Sequence, residues 1–377
     1  MRIFRRSSNA GSSSRPATDN SPAAIARRPL LGAAAALPFG LLGCNAAAKT
    51  GTEAASATAS ETAPRAGQQD AAGGPAPTVR VRLLGTGGPE MSTTRQGMST
   101  LIEAGGLRLL FDVGRGATQN MYESRVNPKD VTKIFLTHLH NDHYEDLPTL
   151  WLNPWFMLGR TEQLEIWGPP GTAGMVKGMR AMYQHDLDHR SNALFKKEYL
   201  DIRVHEIRPG IVYDQDGVKV TAFTVEHKDG NPAYGFRFDH SGKSVLLSGD
   251  TTYHENVVTH GKGVDALIHN VIAFDEELTK SGKLKAVEEK LTTPEQAARV
   301  FSEARPRIAV FSHIAKKGLH GEAGDQVIMN RTRKAGYDGP LYMGLDRMTI
   351  DIADDVTVRK PLSTAGLPEL DGPGVRL

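Results

Sequence analysis

The chain has 377 residues, of which 39% are hydrophobic and 23% charged, so it can bury a large core, and a collagen-like, coiled-coil or wholly disordered chain is excluded. Its formal net charge is +2, but six arginines and one aspartate precede Cys44, which leaves −3 for the remainder and no basic surplus of the kind that binds nucleic acid. Cys44 is the only cysteine, so a metal site would have to use imidazole and carboxylate ligands.

The N-terminal segment has the pattern of an export signal. Arg27 and Arg28 precede an apolar run that is shorter than the roughly 20 residues of a spanning helix. The paired arginines resemble a twin-arginine signal, and the four residues ending at Cys44 (LLGC) resemble a bacterial lipobox. We therefore expect a signal peptide over 1–43, lipidation of Cys44, and a location in the periplasm or at the outer face of a bacterial membrane. An ordinary hydrophobic N-terminus behind a mispredicted start codon is the alternative.

A flexible linker is predicted for residues 44–78, because residues 45–78 are rich in small and polar residues and have no apolar side chain larger than Ala except Pro. From residue 79 short apolar runs alternate with turns, and a strand-rich half is followed by a half with more helix. This order predicts one α/β domain over 79–362, in which two sheets lie between helices, and a loose tail over 363–377. Strands are predicted at 79–84, 99–104, 107–113, 133–137, 164–167, 202–207, 218–225, 234–238, 244–247, 266–269, 308–311 and 341–352, and helices at 174–194, 294–305 and 323–334.

Two local signals in this pattern are specific. His240-Ser241-Gly242 is typical of a tight hairpin turn between two strands. Thr293, Pro294 and Gln296 form a capping-box pattern with Pro at the first helical position, which predicts a helix start.

Four candidate metal ligands follow the apolar strand 133–137 within six positions. They are His138, His140, Asp142 and His143. Burying several imidazoles and a carboxylate without partners is costly, so packing explains this cluster poorly. A metal site is the functional interpretation, and a solvated polar loop is the alternative.

Three later polar residues also follow predicted strands. They are His227, Asp250 and His313, and each alone would be unremarkable. With the first cluster they supply five imidazoles and two carboxylates, enough for two metal ions with room for water.

The sequence HLHNDH at 138–143, followed in order by His227, Asp250 in LSGDT and His313 in FSHI, resembles the metallo-β-lactamase superfamily. The branch that contains ribonuclease Z and related arylsulfatases is the most similar, because LLGTG at 83–87 and FDVG at 111–114 resemble its opening strands. The resemblance implies a single αββα sandwich, a metal-dependent hydrolase and two divalent cations, zinc first, with manganese and iron as alternatives.

The resemblance also implies roles for individual residues. One metal would be held by His138, His140 and His227, the other by Asp142, His143 and His313, and Asp250 would bridge them. Asp112 would orient a ligand from behind; a turn-former before Gly114 is the alternative.

Ester hydrolysis is the expected reaction, with a hydroxide between the metals as the nucleophile. Asp142 and Tyr253 are the candidate catalytic residues. Tyr253 could donate a proton to a developing oxyanion or a leaving oxygen, or could simply pack at the start of a helix. Trp151, Trp155 and His320 are candidates for the substrate pocket; the tryptophans are core residues in the alternative interpretation, and His320 a surface histidine.

Export, charge and two missing features argue against RNA as the substrate. Leu291 stands where the ribonuclease Z family has a histidine that supplies a proton, and only 22 residues separate His227 from Asp250, where the family carries its tRNA-gripping arm. We therefore expect a small ester substrate, an aryl sulfate or an activated phosphate (di)ester, and no nucleic-acid partner. The alternatives are a lactonase or β-lactam hydrolase, a ribonuclease Z-like phosphodiesterase, and a non-catalytic metal-binding lipoprotein. A homodimer is implied by the resemblance alone.

Overall fold

The structure is a computed structural model that describes residues 76–367. The predicted signal peptide, the lipidation site Cys44, and most of the predicted linker and tail lie outside the described residues. Within residues 76–367 no helix combines the length and apolarity that crossing a bilayer requires. The first strand begins at Val79 and the last ends at Arg359, inside the predicted domain bounds.

The first sheet has eight strands and mixes antiparallel with parallel pairing. Its strands are β1 (Val79–Gly85), β2 (Ser99–Ala104), β3 (Leu107–Phe111), β4 (Lys133–Phe135), β5 (Leu164–Gly168), β6 (Ile202–Glu206), β14 (Met348–Ile352) and β15 (Val356–Arg359). Their order is β15-β14-β1-β2-β3-β4-β5-β6, and β3 to β6 run parallel.

The second sheet has seven strands. They are β7 (Gly210–Gln215), β8 (Val218–Val225), β9 (Ala233–His240), β10 (Lys243–Leu247), β11 (Ala266–Phe274), β12 (Ile308–Lys317) and β13 (Leu341–Met343), in the order β13-β12-β11-β10-β9-β8-β7. All nine residues of β11 are buried, as expected for a strand with parallel neighbours and both faces covered. In β8 buried and exposed side chains largely alternate, because this strand lies in the antiparallel part of the sheet.

Nine helices lie among the described residues. They are α1 (Ala117–Glu123), α2 (Leu147–Leu158), α3 (Thr172–Met182), α4 (Gln184–Arg190), α5 (Glu255–Gly261), α6 (Glu276–Ser281), α7 (Lys285–Glu288), α8 (Pro294–Ala304) and α9 (Gly321–Lys334).

The three largest hydrophobic clusters among the described residues lie in successive layers of the domain. The central one lies between the sheets, where Phe111 and Phe135 of the first sheet contact Phe236 of the second with ring centroids 5.5 and 5.9 Å apart. Residues of α1 to α4 pack on the outer face of the first sheet, and residues of α5, α8 and α9 on the outer face of the second. The predicted αββα sandwich is therefore confirmed.

One predicted turn is present in the structure, and one predicted strand and one predicted helix are each divided in two. The hairpin turn is confirmed, since β9 ends at His240, β10 begins at Lys243, and Ser241 and Gly242 have positive φ. The single strand predicted over 341–352 is wrong, because β13 and β14 lie in different sheets and Arg347 between them has φ of 65°. The helix predicted over 174–194 is two helices, α3 and α4.

The start of α8 gives a stability test. Thr293 Oγ1 accepts from the Gln296 backbone N–H and the Gln296 side chain accepts from the Thr293 N–H, which confirms the capping box. Thr293→Ala should lower the free energy of unfolding by about 1 kcal/mol in urea titrations, whereas Thr293→Ser should retain most of it. An Ala variant as stable as the unaltered chain would contradict the assignment.

Candidate metal centre

The first group of polar residues lies on the loop that follows β4. His138 and His143 are fully buried, Asp142 is nearly so, and His140 is half-buried. A short 3-10 turn over Asn141–His143 folds the chain back, so that the backbone N–H of His143 donates to the carbonyl of His140. This turn brings side chains of neighbouring positions to one point.

The second group comes from the other sheet. His227 follows β8, and Asp250 lies three residues beyond β10. The strand predicted to end before His313 continues to Lys317, and His313 lies within it at a bulge, with φ of 44°. This left-handed backbone, unusual for a histidine, re-aims the residue within the strand.

The seven predicted ligands come together in overlapping groups. In each group the potential ligand atoms all lie within 4.8 Å of one another: His138, His140 and His227; His138, His143 and Asp250; Asp142, His143 and His313. Asp250 Oδ2 lies 3.5 Å from His143 Nε2, 3.6 Å from His227 Nε2 and 3.2 Å from His313 Nε2. Asp250 therefore faces His227 of the first group and both histidines of the third group, His143 and His313.

The chemistry of these donors fits divalent cations. His138 Nε2 and His143 Nε2 are buried and have no hydrogen-bond partner among the described residues. Buried polar atoms are normally paired, and a cation would satisfy both nitrogens. Imidazole and carboxylate together suit zinc and related metals.

The electrostatics of the cluster keep its carboxylates ionised. Burial would raise the pKa of Asp250, but His313 and His143 hold that pKa well below its ordinary value. Burial also opposes ionisation of Asp142, and the hydrogen bond from His313 together with the charge of His143 lowers its pKa overall. Burial and the neighbouring His143 lower the pKa of His138.

Asp112 supports the loop from behind. Its Oδ2 lies 2.8 Å from His143 Nδ1, and its Oδ1 accepts from the Thr137 backbone N–H at 2.9 Å. Because a carboxylate accepts, Nδ1 of His143 carries the proton and Nε2 is left for a ligand role. Asp112 also has φ of 57°, so the orienter and the turn-former interpretations describe the same residue.

Two supporting features were missed at the sequence level. The Lys290 backbone carbonyl accepts from His227 Nδ1 at 2.8 Å. A Cβ on Gly230 would lie 2.2 Å from His227 Cδ2 and 3.0 Å from His140 Cε1, so only glycine fits there. Gly230 could have been noticed in the sequence, because it lies three residues after a candidate ligand. The role of the Lys290 carbonyl could not, because every residue has a backbone carbonyl.

The remaining candidates lie elsewhere. Trp151 and Trp155 are buried, and their indole N–H groups donate to the Leu200 and Lys196 carbonyls, so they form core and leave no accessible apolar wall. The Tyr253 hydroxyl donates to Glu303 at 2.8 Å, and its role as proton donor stays a prediction. His320 is exposed at the start of α9.

His269 lies close to the candidate ligands. It is buried in β11, and burial lowers its pKa to about 4. Its ring lines a small cavity together with Asp250 and His313, and its Nε2 has no partner among the described residues.

Comparison with known proteins identifies relatives. The family described as Beta-lactamase superfamily domain matches residues 107–314. Ribonuclease Z of Mycobacterium sp. (strain KMS) is 33% identical over 286 residues, which cover 74% of this chain and 99% of the relative, and ribonuclease Z of Mycolicibacterium gilvum is 30% identical with the same coverage. Among solved structures, human tRNase Z short form has a TM-score of 0.55 at 24% identity, covering 72% of this chain and 99% of that one. The metallo-β-lactamase fold protein YhfI of Bacillus subtilis has a TM-score of 0.54 at 15% identity, covering 72% of this chain and 98% of that one.

These relatives correct two expectations. The expectation of an arylsulfatase-like enzyme that acts mainly on aryl sulfates or activated phosphate esters is contradicted. Relatives matched over nearly their whole length are named ribonuclease Z. The expectation of no nucleic-acid partner is wrong for the same reason.

Gly230 gives a direct test of the packing around the imidazoles. Gly230→Ala should lower the zinc content of the purified protein, because the added methyl group displaces His227 and His140, and elemental analysis measures this. Gly174→Ala is the matched control, since a Cβ there meets nothing within 4 Å. Equal zinc content in both variants would contradict the crowding argument.

Asp112 tests the support from behind. Asp112→Asn preserves a residue that tolerates a left-handed backbone but removes the charge, and should weaken zinc binding by about 10- to 100-fold in competition titrations with a chromogenic chelator. An unchanged zinc affinity would show that the Asp112–His143 contact is only structural.

Proposed function

The chain belongs to the metallo-β-lactamase superfamily, and on that premise we propose that it is a metal-dependent phosphodiesterase of the ribonuclease Z type with RNA as its substrate. One observation carries the proposal: Asp250 lies between two groups of histidines in a chain whose relatives, matched over 99% of their length, are named ribonuclease Z. The geometry supports hydrolysis, and the relatives support the phosphodiester substrate.

The proposed ligand sets follow the groups that the fold assembles. His138, His140 and His227 would hold one divalent cation, Asp142, His143 and His313 the other, and Asp250 both. Zinc is our first candidate, with manganese and iron as alternatives. When bound, such a pair of cations supplies an activated water at neutral pH and positive charge for the phosphoryl oxygens.

The residues around the ligands prepare the site. Asp112 and the Lys290 carbonyl each accept from a histidine Nδ1, which leaves the Nε2 atoms of His143 and His227 facing inward. Burial of His138 and His143 excludes water from the inner side of the cluster. Asp142 Oδ2, 3.3 Å from His313 Nε2, is the candidate proton acceptor as well as a ligand.

RNA would be bound without a long arm between His227 and Asp250. That connection consists of a 3-10 turn over Lys228–Gly230 followed by the β9–β10 hairpin. Leu291 is buried beside Ile272 and Phe274 in a small apolar cluster, so the position offers packing and no proton. We infer that substrate contacts come from other surfaces around the cluster.

Export and lipidation of Cys44 remain proposals that rest on the N-terminal sequence, and a homodimer remains a proposal that rests on the family resemblance alone. Lipid anchoring is tested by cell fractionation. The Cys44→Ser variant should lose membrane association, while its catalytic domain stays intact.

Catalysis is tested with the zinc-loaded protein on a panel containing a transfer-RNA precursor, a simple phosphodiester, an aryl sulfate, a lactone and a cephalosporin. RNA should be cleaved, and Asp250→Ala and His140→Ala should each lower the rate by about a thousandfold, because the metals contribute several kcal/mol to transition-state stabilisation.

His185→Ala and Asp338→Ala are the matched controls, because both residues are exposed and lie outside the ligand groups. These variants should retain the full rate. RNA left intact while another ester is hydrolysed would contradict the substrate assignment, and an unchanged rate in Asp250→Ala would contradict the site.

A further inference from the structure

Four charged residues form a crossed pair of salt bridges beside the candidate metal centre. Lys228 and Asp229 follow His227 directly, and Glu289 and Lys290 follow α7. Lys228 Nζ donates to Glu289, and Lys290 Nζ donates to Asp229 Oδ2 at 2.7 Å. The order of charges, plus then minus on one segment and minus then plus on the other, makes the two segments complementary. We call these four residues the crossed clamp.

The crossed clamp surrounds the contact that orients His227. The Lys290 carbonyl lies 2.8 Å from His227 Nδ1, and a carbonyl can only accept, so Nδ1 carries the proton. Nε2 is then free of hydrogen, and it lies 3.2 Å from His140 Nδ1 and 3.6 Å from Asp250 Oδ2. The Lys290 backbone thus fixes both the tautomer and the ring direction of a proposed ligand.

The segment that carries this carbonyl is anchored unequally on its two sides. On the C-terminal side Leu291 and Thr292 are buried, and Thr292 Oγ1 donates to the Thr251 carbonyl at 2.7 Å. On the N-terminal side α6 and α7 contain no fully buried residue. Leu278 and Val287 of these helices are only partly buried, and the crossed clamp ties this less buried side to the loop of His227.

We propose that the crossed clamp is a positioning device for His227, an inference that rests on the proposed metal centre. Its side chains are between 34% and 60% exposed, and salt bridges of this kind add little to global stability. Their expected effect is therefore on the alignment of the Lys290 carbonyl with His227 Nδ1. Metal affinity should respond to loss of the crossed clamp while the melting temperature of the zinc-free protein does not.

The test uses the Lys228–Glu289 pair. Glu289→Lys places two cations against each other, and the double variant Lys228→Glu/Glu289→Lys restores an ion pair of reversed polarity. For each purified protein, zinc dissociation constants of both equivalents are measured by chelator competition, alongside the melting temperature of the zinc-free protein. Lys197→Glu is the matched control, because it breaks a similarly exposed pair with Asp188, 2.6 Å long, between α4 and the residues that follow it.

Glu289→Lys should weaken one zinc equivalent by up to about tenfold, below the full effect of deleting a direct partner of a ligand, and the double variant should restore it. Lys197→Glu should bind both equivalents as the unaltered protein does. Unchanged affinity in Glu289→Lys, or a double variant as weak as the single one, overturns the proposal.

A salt titration of the unaltered protein decides the matter if Glu289→Lys fails to fold. Raising NaCl to about 0.5 M screens the exposed pairs and should weaken one zinc equivalent more than the other; equal weakening overturns the proposal. The proposed metal centre is tested separately by the zinc content of the unaltered protein. If the unaltered protein binds two equivalents of zinc and the variants bind zinc equally well, only the crossed-clamp proposal is wrong. If the unaltered protein binds no zinc, the proposed metal centre is wrong.

Discussion

The site depends on one buried carboxylate. Asp250 is almost inaccessible and lies among three imidazoles that come from both sheets. An isolated ionised carboxylate would be very costly there, so the surrounding imidazoles and, by our proposal, two cations are needed to hold it. The sandwich meets this requirement by placing the loop after β4 opposite the ends of β8 and β10.

Local backbone strain accompanies this arrangement. Asp112 and His313 both adopt positive φ values, which L-residues other than glycine rarely do. Their surroundings hold them in place: Asp112 through His143 and Thr137, and His313 through Asp142 and Asp250. Such strain is typical of functional sites, where geometry is imposed by the whole fold.

Sequence patterns predicted the sandwich and the residues that converge, because apolar strands and the polar residues after them are visible as local runs. They could not predict the Lys290 carbonyl, since every residue has one, nor the crossed clamp, whose partners are 61 positions apart. The sequence left the tryptophans of α2 open between pocket and core, because composition does not tell which face of a helix is covered. The sequence could not identify the substrate, because a short connection between His227 and Asp250 and a leucine at position 291 do not show that the function named for the relatives is lost.

The most direct test of the account is a crystal structure of the zinc-loaded protein with anomalous scattering at the zinc edge. We expect two anomalous peaks, one bounded by His138, His140 and His227 and the other by Asp142, His143 and His313, with the Asp250 carboxylate next to both. A single peak, or peaks away from these side chains, would contradict a dinuclear centre built around Asp250.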